Sequence, residues 1–441
     1  MSHSHEDHHP IVIREERVPA RPLTFLGMAL AGAGLAVLLI TLLIGLGSSD
    51  PGFVRRTMFS WHFAFMVCFT ISAGAVFWVL LHAVTNSGWG VLVRRQMENL
   101  SMLVIPVAIL AIPVFLFREK IFYWLTLKPG YDPLLDGKSF YLNENMFLLR
   151  AAGYFTVLIG GALLFRHFSV SQDKDGNPIK TLRARQWSPL FVPLFAITIT
   201  FAAIDWMMSL DHHWFSTMWG VYIFAGSAWS SMALLILLCN SLRAFGYLKE
   251  VFTPEHNHIM GKLLFAFTVF WAYIAFSQYM LIYYAHIPEE TWFYIFRNVT
   301  FGIDPATEQP VLTRNSWFWV SVFLVIFHFF VPFILLITQP AKQSAKRLCS
   351  VCGLVLFMHV VDIYWIIMPM EQVISAKKAL KESPIPGMWQ TSTGLDLHIL
   401  DFIFLGGMFA VLAGALLFIL PRTPLFPIRD PRLKESLQLS N

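Results

Sequence analysis

Ten long apolar runs constrain this chain more than any other feature of its sequence. An α-helix needs about 20 residues to cross the bilayer core. The runs lie at 23–46, 58–81, 100–117, 146–166, 189–209, 215–242, 260–285, 316–338, 349–370 and 397–420. Charged residues make up only 13% of the 441 residues, against about 25% in soluble domains. The sequence therefore predicts an all-α membrane protein with ten transmembrane helices, called here spans 1 to 10.

The distribution of Lys and Arg predicts the orientation of the spans. An even number of spans places both termini on one side, and that side carries more Lys and Arg than the other. Because positive residues collect on the cytoplasmic side, we expect both termini in the cytoplasm. The outer side then carries three long connections, at 118–144, 286–315 and 371–396. Their Pro, Gly, Tyr and Trp content favours docking to a partner.

Several classes of site find no support in the sequence. Residues 1–22 form a charged tail whose histidines could bind metal, but a solvated tail is the preferred interpretation. Four cysteines, two of them in a lone Cys-x-x-Cys, predict neither a disulfide framework nor a metal site. Motifs for covalent haem c, for a P-loop and for a dinucleotide are missing. We therefore predict no metal site, no catalytic residue and no nucleic-acid partner.

Two pairs of landmarks indicate an internal repeat. Trp61 and Trp219 open spans 2 and 6, and Asp205 and Asp362 lie in spans 5 and 9, at almost the same separation. A repeat without inversion relates its copies by an axis along the membrane normal. We therefore expect two tandem four-helix bundles, spans 2–5 and 6–9, flanked by spans 1 and 10. The parts are then the tail 1–22, span 1 with its connection at 23–57, the bundles 58–209 and 215–370, and the segment 371–441.

Small residues form one face on each of the two flanking spans. In span 1 and span 10 they recur at intervals of three and four, which places each set on one side of its helix. The sets are Gly27, Ala31 and Gly34, and Gly407, Ala410 and Gly414. Since small residues allow helices to approach closely in lipid, both faces are predicted to be packing surfaces.

The first bundle carries three ionisable residues in its predicted outer half, namely His62, Arg150 and Asp205. Ionisable groups inside a bilayer are costly and commonly functional. A His beside a carboxylate could donate to a quinone carbonyl and accept a proton from a quinol. We therefore hypothesise a quinone-binding site at these residues, with Met and aromatic residues lining an apolar slot. The alternative is a structural Arg150–Asp205 ion pair beside a hydrogen-bonded His62. The slot residues would be Met58, Phe63, Met66, Phe155, Trp206 and Met207.

The second bundle suggests a proton path. Lys262, His328, His359 and Asp362 lie on spans 7, 8 and 9, from the inner end towards the middle. Chains of Asp, Glu and His serve as proton relays in membranes. The alternative for Lys262 is a side chain that extends to the lipid headgroups. Asp205 is included in the hypothetical path as the counterpart of Asp362.

Three stretches carry a resemblance to a known family. They are Asp205-Trp-Met-Met-Ser-Leu-Asp-His-His-Trp-Phe215, Tyr222-Ile-Phe-Ala-Gly-Ser-Ala228, and Phe276-Ser-Gln-Tyr-Met-Leu-Ile-Tyr-Tyr-Ala285 followed by Ile287-Pro-Glu-Glu290. Together with the ten spans, they make the chain resemble the F subunits of bacterial alternative complex III, which are NrfD/PsrC-type quinol-interacting membrane proteins. The resemblance covers the chain from span 1 to span 10.

The resemblance implies a place in a respiratory chain of the bacterial inner membrane. Complexes of that kind oxidise menaquinol and pass electrons through iron–sulfur and haem c subunits to a cytochrome c or a terminal oxidase. Their F subunits carry no redox cofactor, contact a homologous C subunit that holds the firmer quinol site, and are candidates for proton translocation. The expected ligands are menaquinone or menaquinol and lipids. The proton role is carried onto five residues here: Asp205, Asp362, His328, His359 and Lys262.

Two other interpretations stay open. One is a structural scaffold that anchors redox subunits at the outer face. The other is a secondary transporter, since a repeat with charges near the midplane is also typical of that class. Transporters commonly break helices at matched places in the two halves. Here Pro106 and Pro113 fall within span 3, whereas span 7 has no Pro, which weighs against a transporter.

Overall fold

The protein is a bundle of long helices. A computed structural model describes residues 15–303, 310–382 and 394–439. Within that part of the chain, ten helices are long and apolar enough to cross a membrane, as the sequence predicts. They are α1 (Ala20–Leu46), α2 (Pro51–Thr85), α3 (Val91–Leu116), α4 (Glu144–Asp175), α5 (Ile179–Leu210), α6 (Trp219–Ala244), α7 (Pro254–Ala285), α8 (Ser316–Leu336), α9 (Ala345–Glu382) and α10 (Ile399–Arg422).

Short elements fill the connections between these helices. The two strands β1 (Val299–Ile303) and β2 (Pro310–Arg314) pair antiparallel, with Val299 opposite Arg314. The remaining segments are the short helices Arg118–Ile121, Tyr123–Thr126, Pro133–Gly137, Pro288–Asn298, Gln339–Gln343 and Leu433–Leu437. Near the termini, the Leu425 amide donates to the Glu16 carbonyl at 3.0 Å. Both ends of the described chain therefore lie on one side, and the opposite side is called the far side below.

Several helix boundaries differ from the prediction. α4 ends at Asp175 rather than at 166, and α5 begins at Ile179 rather than at 189. α2 begins at Pro51 rather than at 58, and α3 begins at Val91 rather than at 100. The early part of α3 contains Arg94 and Glu98, and these charges place it outside the apolar run that predicts span 3. In the structure the two side chains are 3.4 Å apart and shielded from solvent. α9 continues to Glu382, past the predicted end at 370. In each case polar residues extend a helix beyond its apolar run.

Prolines explain the irregular helices. A Pro has no N–H, so the carbonyl four residues earlier loses its helical partner. α3 is interrupted near Met102 and Ala111, on the N-terminal sides of Pro106 and Pro113. α8 widens into a π-helical turn at Val325–Phe330, directly before Pro332. That turn contains His328, whose carbonyl is the one freed.

Close helix contacts depend on small residues. α2 and α6 run through the centre of the molecule and contact each other, and a Cβ at Gly74 of α2 would overlap the Ser227 carbonyl of α6. α1 packs along α10, where a Cβ on Gly34 would lie 2.8 Å from the Gly407 carbonyl. A Cβ on Gly414 would lie 2.5 Å from the Gly27 carbonyl. The predicted packing faces of these two helices are confirmed.

Gly414→Val tests how tightly α1 is held against α10. The added side chain meets the backbone of α1, so we expect a loss of about 1–3 kcal/mol from overpacking. The measurement is the thermal unfolding midpoint of the detergent-solubilised protein. Gly406→Val is the matched control, because a Cβ there has no neighbour within 4 Å. Equal midpoints for the two variants would contradict close packing of α1 on α10.

Candidate functional site

Asp205, near the far-side end of α5, is buried and fully paired. Arg150 of α4 donates to both carboxylate oxygens, from Nε at 2.7 Å and from a terminal nitrogen at 2.9 Å. The Tyr154 hydroxyl, one turn along α4, donates to the same carboxylate at 2.7 Å. The Arg150 guanidinium also lies 3.8 Å from the centre of the Tyr141 ring. The structure thus brings two of the three predicted quinone-site residues together as a bidentate ion pair.

His62 lies beside this pair without joining it. Its Nε2 is 2.7 Å from the backbone carbonyl of Trp206, the residue after Asp205. Since a carbonyl only accepts, Nε2 carries the proton and Nδ1 is left as an acceptor. Nδ1 is buried and has no hydrogen-bond partner among the described residues. His62 is therefore a buried neutral imidazole with one unused acceptor.

Aromatic rings fill the region where the slot was expected. The Trp206 indole stacks on Phe155 at 5.6 Å between centroids and meets Phe69 edge-on at 4.9 Å. Other rings close the remaining sides of this indole: Phe65, Phe115 and Tyr154. A quinone ring between His62 and Arg150 would have to displace some of them. The contacts resemble a packed core more than an open slot.

Asp362 of α9 has a different set of partners. The Tyr222 hydroxyl of α6 donates to its Oδ1 at 2.5 Å. His328, in the π-helical turn of α8, places Nε2 4.0 Å from the other oxygen. Its imidazole is stacked between Trp229 and Trp271, with centroids at 4.1 and 3.6 Å. Residues from α6, α7, α8 and α9 thus meet at one carboxylate, and none of these partners is Lys or Arg.

His359 lies one turn before Asp362 on α9 and faces α2. Its Nε2 is 2.8 Å from the Thr70 hydroxyl oxygen. That hydroxyl also lies 2.9 Å from the Met66 carbonyl, so the imidazole Nε2 is the donor to Thr70. A Cβ on Gly226 would be 3.3 Å from the ring, which leaves no room for a larger residue. His359, His328 and Asp362 are thus all buried in the interior, but the described hydrogen bonds do not join His359 to the other two.

Lys262 is not part of this group. Its side chain is exposed near the terminal side of α7. At 1.5 Å per residue, it lies about 14 Å along α7 from Trp271. The described contacts do not join Lys262 to His328, and the exposed position is typical of a lysine that extends towards the headgroups.

The sequence analysis missed several partners of the buried charges. Tyr154 and Tyr222 were not predicted as partners, although Tyr154 follows Arg150 and Tyr222 follows Trp219 by one helical turn. A third group joins Arg56 of α2 to Asp401 of α10 at 2.5 Å. The Ser60 hydroxyl donates to the same carboxylate at 2.5 Å. The signal available for this group was the pair Arg56 and Ser60, four residues apart and therefore on one helix face.

Arg and Lys side chains of the far-side connections donate hydrogen bonds to backbone carbonyls in α9 and after α5. Arg297, in the helix Pro288–Asn298, donates to the carbonyls of Trp365 and Ile366 at 3.0 and 2.7 Å. Pro369 leaves the Trp365 carbonyl without its helical donor, and Arg297 replaces that donor. Burial lowers the pKa of Arg297 to about 9, which keeps the guanidinium charged at neutral pH. Lys138, in the preceding far-side connection, donates to the His212 carbonyl at 2.8 Å in a similar way.

Two histidines after α5 converge on one carboxylate. The Nε2 atoms of His212 and His213 lie 2.9 and 2.7 Å from Oδ2 of Asp132. Burial alone would raise the pKa of Asp132, but the hydrogen bonds from both imidazoles outweigh it and hold that pKa well below its ordinary value. A pocket of about 370 Å³ lies alongside, lined in part by Tyr141 and Asp211. The sequence gives no reason to pair these two histidines with Asp132, which lies about 80 residues earlier.

Arg150→Met tests the energetic role of the Asp205 ion pair. Removing the guanidinium leaves a buried carboxylate without its counter-charge, which costs roughly 3–5 kcal/mol. We expect a large drop in the thermal midpoint of the solubilised protein. The double variant Arg150→Met/Asp205→Asn removes the charge as well and should recover part of the loss.

Arg118→Met is the control for this experiment. Arg118 also pairs with a carboxylate, that of Glu144, but the carboxylate is half exposed. Exposed pairs contribute about 0–1 kcal/mol, so this variant should unfold close to the unmodified protein. A double variant no more stable than Arg150→Met alone would show that the loss comes from packing rather than from the unpaired charge.

Comparison with known proteins adds no family assignment. No family model matches the chain, and no curated protein matches it. The resemblance noted from the sequence therefore remains a prediction. The contacts of the buried polar groups, described above, are what support the proposal that follows.

Proposed function

We propose that this chain is an integral membrane subunit of a quinol-oxidising respiratory complex and carries no redox cofactor. In this subunit, Asp362 and its neighbours Tyr222 and His328 take part in proton translocation. The observation that carries the proposal is the set of partners of Asp362, which among the described residues are a tyrosine and a histidine, without Lys or Arg. The sequence resemblance supplies the setting. In that setting the chain lies in a bacterial inner membrane with both termini in the cytoplasm. Its partners are a homologous C subunit and subunits with iron–sulfur clusters and haem c, and menaquinol is the reductant.

The partner set favours proton exchange over structural pairing. An ionised carboxylate in a low-dielectric interior is costly unless a counter-charge neutralises it. Arg150 neutralises Asp205, whereas Asp362 accepts from the neutral Tyr222 hydroxyl. A proton can supply the missing neutralisation at Asp362. His328 is the neighbouring group: its Nε2 is 4.0 Å away, so it can exchange a proton with Asp362 through one bridging water.

The helix contacts support the two-bundle arrangement that we propose. α2 contacts α3 and α5, and the corresponding contacts of α6 are with α7 and α9. Across the centre, α2 meets α9 and α5 meets α6. Exchanging α2 with α6 and α5 with α9 reproduces this pattern, as a two-fold axis along the membrane normal requires. Asp205 and Asp362 then occupy equivalent places in bundles of helices 2–5 and 6–9.

A scaffolding role for the first bundle is the second candidate. The bidentate Arg150–Asp205 pair and the packed rings around Trp206 favour it. Quinone interaction at His62, Arg150 and Asp205 remains part of the proposal through one feature, the unused Nδ1 acceptor of His62. In this scheme the first bundle holds the complex together and the second handles protons.

Asp362→Asn in the assembled complex tests the proposed role. The amide keeps the shape and the hydrogen bond from Tyr222 but cannot take up a proton. With the complex in liposomes, we expect the ratio of protons translocated to electrons transferred to fall by more than half. Asp396→Asn is the control, because that side chain is 63% exposed on the far side.

Two results would contradict the proposal. An unchanged ratio in Asp362→Asn, with the complex intact, would favour the scaffold. Purification of the chain in a mild detergent without any haem-bearing partner would remove the respiratory setting altogether. The second measurement needs no variant and separates a wrong setting from a wrong residue.

A further inference from the structure

Asp132, His212 and His213 form a cluster on the far side that the proton path does not use. Asp132 lies in the connection between α3 and α4, and the two histidines lie in the tight turn between α5 and α6. One ligand atom from each residue can be chosen so that all three lie within 4.8 Å of one another. Both imidazoles present Nε2 to the same carboxylate oxygen. The cluster therefore joins two connections that are distant in sequence.

We propose that this cluster binds a divalent transition-metal cation, with Zn²⁺ as the ion that its donor atoms fit best. Two imidazole nitrogens and one carboxylate oxygen are the donor set of many zinc sites that keep an open position. Zinc binds such atoms at about 2.0–2.2 Å, which separates tetrahedral ligands by roughly 3.3 Å. Asp132 is 2.9 and 2.7 Å from the two histidines. A small outward movement makes room for the ion.

The surroundings hold the ligands in place. Oδ1 of Asp132 accepts from the backbone amides of Leu134 and Leu135, at 3.0 and 3.4 Å. This fixes the carboxylate so that Oδ2 points towards the imidazoles. Asp211 accepts from the His213 amide at 3.2 Å and lies 3.9 Å from the Nδ1 of that ring. A carboxylate behind a metal-bound imidazole is the usual second layer of such a site.

The three ligand side chains differ in solvent exposure, as expected for a metal site with one coordination position open to water. The side chain of His212 is 2% exposed and that of Asp132 14%, whereas that of His213 is 44% exposed. The ion would thus be anchored from the protein side and reach water past His213. The ammonium of Lys138 opposes cation binding, but it is held on the His212 carbonyl. The charged side chains at the cluster are therefore two carboxylates, Asp132 and Asp211, and one ammonium, Lys138.

Metal binding would connect the α3–α4 connection to the end of α5. His212 follows Asp205 by seven residues, through the end of α5 and the turn after it. The pocket of about 370 Å³ is lined by His212 and by Tyr141, whose carbonyl accepts from Arg150. The ion would therefore stabilise the far-side surface next to Tyr141, a neighbour of the Asp205 ion pair. Because it binds only the folded arrangement, it should raise the unfolding temperature.

The test measures Zn²⁺ affinity with the full-length, detergent-solubilised chain. The tail is a competing metal ligand, so every sample carries alanine at four tail histidines, which are His3, His5, His8 and His9. Competition with a chromophoric chelator gives the Zn²⁺ dissociation constant, and Co²⁺ substitution gives visible absorption bands that report a tetrahedral site. We expect one ion per chain and a higher thermal midpoint with Zn²⁺.

The variants separate ligand loss from misfolding. His213→Ala removes the exposed ligand, and Asp132→Asn removes the anionic one while keeping a residue that caps the following helix. Each should weaken Zn²⁺ binding at least ~10-fold, since even indirect partners of a metal contribute about 10–100-fold. His167→Ala, an exposed histidine on α4, should bind as the parent does. Thermal midpoints without metal check that the variants are folded.

Two outcomes would overturn the proposal. The first is no Zn²⁺ binding once the tail histidines are replaced. The second is an affinity in folded His213→Ala and Asp132→Asn equal to that of His167→Ala. In either case the cluster would be two imidazoles hydrogen-bonded to one carboxylate.

Discussion

The cost of leaving a polar group unpaired in a membrane organises this structure. Lipid offers no hydrogen bonds, so each buried charge and each freed carbonyl needs a partner from the protein itself. Arg150 meets Asp205, and Arg56 meets Asp401, so that charges from different helices pair in the interior. These pairs also fix which helices are neighbours, because the partners of each pair lie far apart in sequence.

The same constraint explains the places where helices are irregular. Pro369 frees a carbonyl in the middle of α9, and Arg297 from a far-side connection donates to it. Pro332 frees the carbonyl of His328, and α8 widens there into a π-helical turn. Turns of that kind are common at functional sites. The widened turn coincides with the His328 ring, which stacks between two indoles and approaches Asp362.

The sequence predicts the helices well and the contacts less well. Hydropathy finds the ten spans because lipid selects long apolar runs. It misses the polar start of α3, where the ion pair of Arg94 with Glu98 stabilises charges that hydropathy counts as unfavourable. The charges of the interior could be placed by depth, and Arg150 with Asp205 were predicted to meet. Tyr222 at Asp362 was not predicted, because its one-turn spacing from Trp219 indicates a shared helix face but not which helix packs against that face. Asp132 beside His212 depends on how a long connection folds back, which spacing does not reveal.

The proposed repeat pairs Asp205 with Asp362, but the two aspartates have different environments. Asp205 is held by a guanidinium at two oxygens, and its hydrogen-bonding capacity is largely used. Asp362, its counterpart in the proposed repeat, has a neutral hydroxyl and an imidazole beside it instead of a cation. A carboxylate with a permanent counter-charge gains little from a proton, whereas one without it gains much. This difference between the partner sets supports our proposal that the first half contributes stability and the second exchanges protons.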